Sequence, residues 1–117
     1  MAFTDKGTIS NNALSIAFAS ENPVKAKLAS PYVLVTFSTD LADGAEGSIV
    51  LTFDSVSPAT GGSFQATHKQ IKWPSTVKWE QGIQPTPRGY AGDVAHFKFI
   101  RDAAVGYIGR LVVSGAA

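Results

Sequence analysis

A chain of 117 residues has room for one domain with a genuine core, since a fold of this size buries roughly two-thirds of its unfolded surface. With no cysteine it has no disulfide scaffold, iron–sulfur site, Cys-rich zinc site or thiol nucleophile. A net charge of +1, 44% hydrophobic and 16% charged residues exclude a chain disordered by composition and give no reason to expect nucleic acid as a partner.

No window approaches the roughly 20 uninterrupted apolar residues of a membrane span, and the opening Met-Ala-Phe-Thr-Asp-Lys-Gly is not a signal-peptide pattern. A soluble single domain without a membrane partner is expected. Residue choice points to its class. Val, Ile, Thr, Phe, Tyr and Trp total 38 against 24 for Leu, Glu, Lys, Arg, Gln and Met, an inventory for pleated sheets.

In chain order, residues 1–12 are expected as an N-terminal arm and residues 13–117 as one β-sandwich domain. Leu14, Ile16 and Phe18 alternate with Ser15, Ala17 and Ala19, the period of two of a half-buried strand. Asn22–Leu28 and Asp40–Glu46 have no sustained helical stripe and are expected as loops. Between them, Tyr32–Phe37 places Val33, Val35 and Phe37 on one face. Ser48–Phe53 does the same with Ile49, Leu51 and Phe53, and Phe64–Ile71 reads as the next strand. A short extended piece, Thr76–Trp79, follows Pro74. Val94–Ile100 sets Phe97 and Phe99 against His96 and Lys98, and Tyr107–Val113 closes the set after a turn near Asp102–Gly106. Seven to eight strands at this turn spacing predict an all-β, antiparallel β-sandwich of jelly-roll or immunoglobulin size with little helix.

Catalytic chemistry finds little support. His68 and His96 fall on the polar sides of strands without a ligand spacing around them, so no metal site is expected. No Gly-x-Ser-x-Gly elbow or phosphate-binding glycine loop occurs, so neither enzymatic activity nor a cofactor is expected. Asp40, Asp43 and Glu46 around Gly44 offer three local carboxylates where calcium takes six to eight ligands, and read as turn chemistry.

The unusual stretch is Trp73-Pro74-Ser75-Thr76-Val77-Lys78-Trp79. Pro74 forces Trp73 to be extended and donates nothing to a sheet ladder, which puts the segment at a strand end or sheet edge. Val77 and Trp79 share a face. Either the segment plugs one end of the sandwich or its aromatic faces stack on a sugar.

The order Trp73, Pro74, Val77, Trp79, Gly82, Pro85, Asp93, Phe97, Gly106, Tyr107 and Gly109 resembles a recurrent C-terminal module of tailed-bacteriophage virion proteins. The resemblance covers about the last 45 residues. It departs from the family at Glu80-Gln81-Gly82-Ile83-Gln84-Pro85, where a Pro-Gly-Gly type turn is more usual. It implies a β-rich virion structural protein that assembles as a homotrimer. With no heptad shaft, the expected role is capsid decoration, cementing neighbouring capsomers of the major capsid protein at the virion surface. The runner-up is a tail, neck or fibre-tip module that binds a host surface glycan.

The interface and anchor residues expected are Trp73, Pro74, Val77, Trp79, Tyr90 and Tyr107, with Lys72, Lys78, Arg101 and Arg110. Charge supports the basic members. Residues 1–60 carry a net −3 and residues 61–117 a net +4. Lys69, Lys72 and Lys78 surround the Trp motif, and Lys98, Arg101 and Arg110 lie on the final hairpin.

Overall fold

The computed structural model describes residues 2–10, 12–29, 33–53, 71–79, 82 and 92–116, with side chains to residue 112. The chain runs β1 (Thr4–Ile9), β2 (Ala13–Ala17), a single helical turn α1 (Phe18–Glu21), β3 (Val24–Leu28), β4 (Val33–Thr39) and β5 (Glu46–Phe53). It continues through β6 (Ile71–Lys72), β7 (Val77–Trp79), β8 (Asp93–Asp102) and β9 (Gly106–Ala116). Two sheets share one core: a six-stranded sheet ordered β1-β3-β5-β8-β9-β7 and a three-stranded sheet ordered β2-β4-β6. The all-β expectation holds.

The sense of pairing differs from the antiparallel expectation. Among the described residues only β5 with β8 and β8 with β9 are antiparallel, whereas β1–β3, β2–β4, β3–β5, β4–β6 and β7–β9 are all parallel. The reason lies in the connections. From β1 to β6 each strand is followed by one in the opposite sheet, so every return to a sheet restores the original direction. A parallel pair needs a long crossover, and here a strand of the facing sheet serves as that crossover. Period-two alternation fixes which face a side chain takes, not which way the neighbouring strand runs.

Two further segments differ from expectation. Residues 4–9 form an edge strand rather than an arm, with Thr4 opposite Val24 and Ile9 opposite Leu28. Residues 24–28 form a strand rather than a loop, with Val24, Ala26 and Leu28 buried and Lys25 and Lys27 exposed. The loop expected at 40–46 is present from residue 40 to 45, before β5 begins.

The junction between β2 and β3 is held by side chains. Glu21 accepts the Ala17 N–H at 2.7 Å, satisfying a donor at the start of the turn, and takes Lys6 Nζ at 2.9 Å on its other oxygen. Asn22 uses both ends of its amide on β5, donating to the Glu46 carbonyl and accepting the Ser48 N–H, each at 3.0 Å.

The core takes Leu14, Ile16, Val33, Val35 and Ile71 from the smaller sheet and faces them with Val24, Leu28, Ile49, Leu51, Phe53, Phe97 and Phe99 from the larger one. Three strands cannot cover six. The remaining inner surface of β8 and β9 is filled by rings, with Phe18 against Phe37 at 4.9 Å and Phe37 against Tyr107 at 5.0 Å between centroids.

Candidate interaction face of the C-terminal hairpin

Hairpin β8–β9 presents two chemically distinct faces. Phe97, Phe99 and Tyr107 point inward and are fully buried, while Lys98, Ile100, Ile108 and Arg110 alternate outward. The inner face is backed by the Trp motif. Trp73 is 7% exposed and its ring lies 4.9 Å from Phe97 and 5.5 Å from Trp79, both edge-on. Among the described residues its indole N–H has no hydrogen-bond partner. The surrounding rings of Trp79, Phe97 and Phe99 offer it only weak π acceptors.

Pro74 begins a tight turn in which its carbonyl accepts the Val77 N–H at 3.0 Å, and this turn delivers β7 to β9. Val77 is buried and Trp79 partly buried, on the shared face that the sequence indicates. The aromatic residues of the motif are therefore packed as a plug. Among the described residues, Phe3, at 44%, is the only Phe, Tyr or Trp that is exposed.

Gly109 is required by this packing. A Cβ there would stand 2.8 Å from Trp79 Cζ3 and 2.9 Å from Phe99 Cδ1. At Gly106, with φ +115°, a side chain would run into the Thr76 carbonyl, which instead accepts the Tyr107 N–H at 2.9 Å.

Tyr107 ties the hairpin to the β4–β5 loop. Its hydroxyl donates to Asp40 Oδ1 and accepts the Leu41 N–H, both at 2.9 Å. Burial holds this phenol above its ordinary pKa, and the Asp40 carboxylate adds to the shift. Arg101 lies 5.2 Å above the Tyr107 ring and reaches Asp40 Oδ2 at 3.9 Å. Asp43 accepts the Ala103 N–H at 2.8 Å. Two acids of the loop thus serve as acceptors for the hairpin, and no group of three or more metal-capable side chains converges among the described residues.

The sequence-expected residues separate into three groups. Trp73, Val77 and Tyr107 are interior, Pro74 and Trp79 partly so, and Arg101 is engaged at the hairpin tip. Lys78 and Arg110 lie on the outer face of the larger sheet, while Lys72 is exposed on the smaller one, opposite Leu34. Tyr90, like Pro85, His68 and Lys69, lies outside the described residues.

Ile100 and Ile108 were not singled out by the sequence. They are a directly opposed pair, 45% and 40% exposed, next to the opposed pair Lys98 and Arg110. The signal was available, since both isoleucines occupy the polar parity of their strands.

His96 shares the outer face, opposite Val50 on β5 and Val113 on β9. Its Nε2 is buried without a partner among the described residues, and burial, with the nearby charge of Lys98, lowers its pKa. Among the described residues no helix is long and apolar enough to cross a membrane. No family model, curated protein or solved structure matches the chain.

Proposed function

We propose that this protein is a structural component of a tailed-bacteriophage virion, a homotrimer that decorates the capsid and cements neighbouring capsomers. The observation that carries the reading is the division of labour within the C-terminal hairpin. Four of the residues on which the resemblance rests, Trp73, Val77, Phe97 and Tyr107, are buried in the core. They stiffen a sheet whose other face offers Lys78, Lys98, Ile100, Ile108 and Arg110 outward. A rigid β face with cations around an aliphatic centre suits docking onto another protein better than it suits catalysis.

The test is to locate the chain in purified particles. High copy number on DNA-filled heads, together with a trimer in sedimentation of the isolated protein, is the expected result. Absence from particles overturns the reading. A few copies confined to tail tips, with binding to cell-wall glycan, transfers the role to a receptor-binding module.

A further inference from the structure

The outer side of β8–β9 carries an arrangement that the fold alone does not call for. Lys98 and Arg110 stand directly opposite each other on antiparallel strands, where like charges are unfavourable. Among the described residues neither has an ion pair, and Glu46, on the same groove, is bonded to neither of them. The groove between them has a volume of about 380 Å³ and continues over the exposed Ile100–Ile108 pair. Lys78 flanks Ile108 from β7 and is loosely held, at 3.3 Å from the Ser75 carbonyl. Two mutually repelling cations beside an uncovered aliphatic pair break local rules that ordinary surfaces follow.

We propose that this groove seats an extended acidic segment of a partner protein, with a carboxylate over Lys98 and Arg110 and an aliphatic side chain two residues further on over Ile100 and Ile108. The spacing follows from the sheet. Lys98 and Ile100 are two residues apart on one face, about 6.6 Å, and an extended peptide repeats its own same-face side chains at that distance. One carboxylate between the two cations removes their repulsion, and the aliphatic side chain covers the isoleucine pair. A second copy of the same face is disfavoured, because it would set Lys78, Lys98 and Arg110 against themselves. A phosphate polyanion would satisfy the cations and leave the isoleucines in water. The inference deepens the virion reading by naming the chemistry of the docking partner.

The experiment titrates the isotope-labelled full chain with a short synthetic peptide carrying Asp-Ser-Leu, and in parallel with the same peptide having Lys for Asp, with inorganic phosphate and with a short single-stranded DNA. Saturable amide shifts confined to Glu46, Lys98–Ile100 and Ile108–Arg110, seen with the acidic peptide alone, are expected. The K98Q/R110Q double variant should bind at least about tenfold more weakly, the loss of one charge-assisted contact. Its Tm should equal or exceed the parent's, because the like-charge pair is gone. No saturation, undiminished binding by the double variant, equal binding of DNA or phosphate, or a Tm several degrees lower overturns the proposal. Failure of the two readings is distinguishable. Attachment of the double variant to heads as efficiently as the parent removes the groove alone, while groove binding by a chain absent from particles removes the virion assignment alone.

Discussion

The Tyr107 hydroxyl meets Asp40 across 67 positions of sequence and joins the last hairpin to the loop that precedes β5. The ring is fully buried and its oxygen also takes the Leu41 N–H, so both hydrogen-bonding roles of the phenol are used. Y107F keeps the ring packing and strands the buried Leu41 N–H, while the exposed Asp40 carboxylate can turn to water. A loss of about 1–3 kcal/mol is expected, the usual consequence of an unmet buried donor. Urea unfolding of Y107F within a few tenths of a kcal/mol of the parent would show that water replaces the hydroxyl at no cost.

The two tryptophans of the motif should differ in weight. Trp73 is nearly enclosed, so W73A should cost about 3–5 kcal/mol, whereas the partly buried Trp79 should cost about half as much on truncation. Denaturant melts of the two variants give the ranking directly. The reverse order would mean that Trp79 has a partner beyond the packing described above.

G109A introduces one methyl group into the contact of Trp79 with Phe99. Overpacking of this kind costs about 1–3 kcal/mol. If the penalty arises from crowding by the indole, the additional change Trp79→Leu should recover part of it, and a thermal melt of the double variant checks this.

Acid should destabilise the protein in two stages. His96 has a folded pKa below its ordinary 6.5, so the unfolded chain takes up this proton first. Stability therefore falls as pH drops below about 6.5, and the loss is complete once pH lies beneath the folded value. Glu21 is held below 4.5 by the Lys6 contact and the Ala17 N–H. Its contribution is whole above about pH 4.5 and disappears as pH falls through the folded value. Melts between about pH 8 and 3 should show the first stage vanish in H96N and the second shrink in E21Q. A parent curve flat from pH 7.5 to about 5 would remove the histidine's part.

Burial was legible in the sequence wherever large apolar residues alternate cleanly. Ile49, Leu51 and Phe53 on β5, and Phe97 and Phe99 on β8, take the side that their parity assigns. The strand at Val24–Leu28 follows the same alternation but is short, contains alanine, and carries two lysines, which hid it beside the Asn22-Pro23 break. β1 was hidden by its polarity, since Asp5, Lys6 and Gly7 sit on an edge where only Ile9 is buried. Parallel pairing was not legible at all. It depends on which sheet a connection enters, and that is decided by burial across the whole core. On the outer face of the hairpin, the lysines and arginines were readable, but the exposed isoleucines between them became visible only when register placed Ile100 opposite Ile108.

The alternation of β1 to β6 between two sheets also governs how the chain can reach this state. No two consecutive strands in that stretch pair with each other, so none of them can form a local hairpin. Among the described residues only β8 and β9 are neighbours both in sequence and in the sheet. That hairpin is the pairing that closes over the shortest stretch of chain, so it carries the smallest loop-closure cost. Closing so many distant contacts places folding in the millisecond-to-second regime rather than among fast local folders. On the ribosome, the first half emerges long before the hairpin that organises it, with the apolar sides of Val24–Leu28 and Val33–Thr39 uncovered meanwhile.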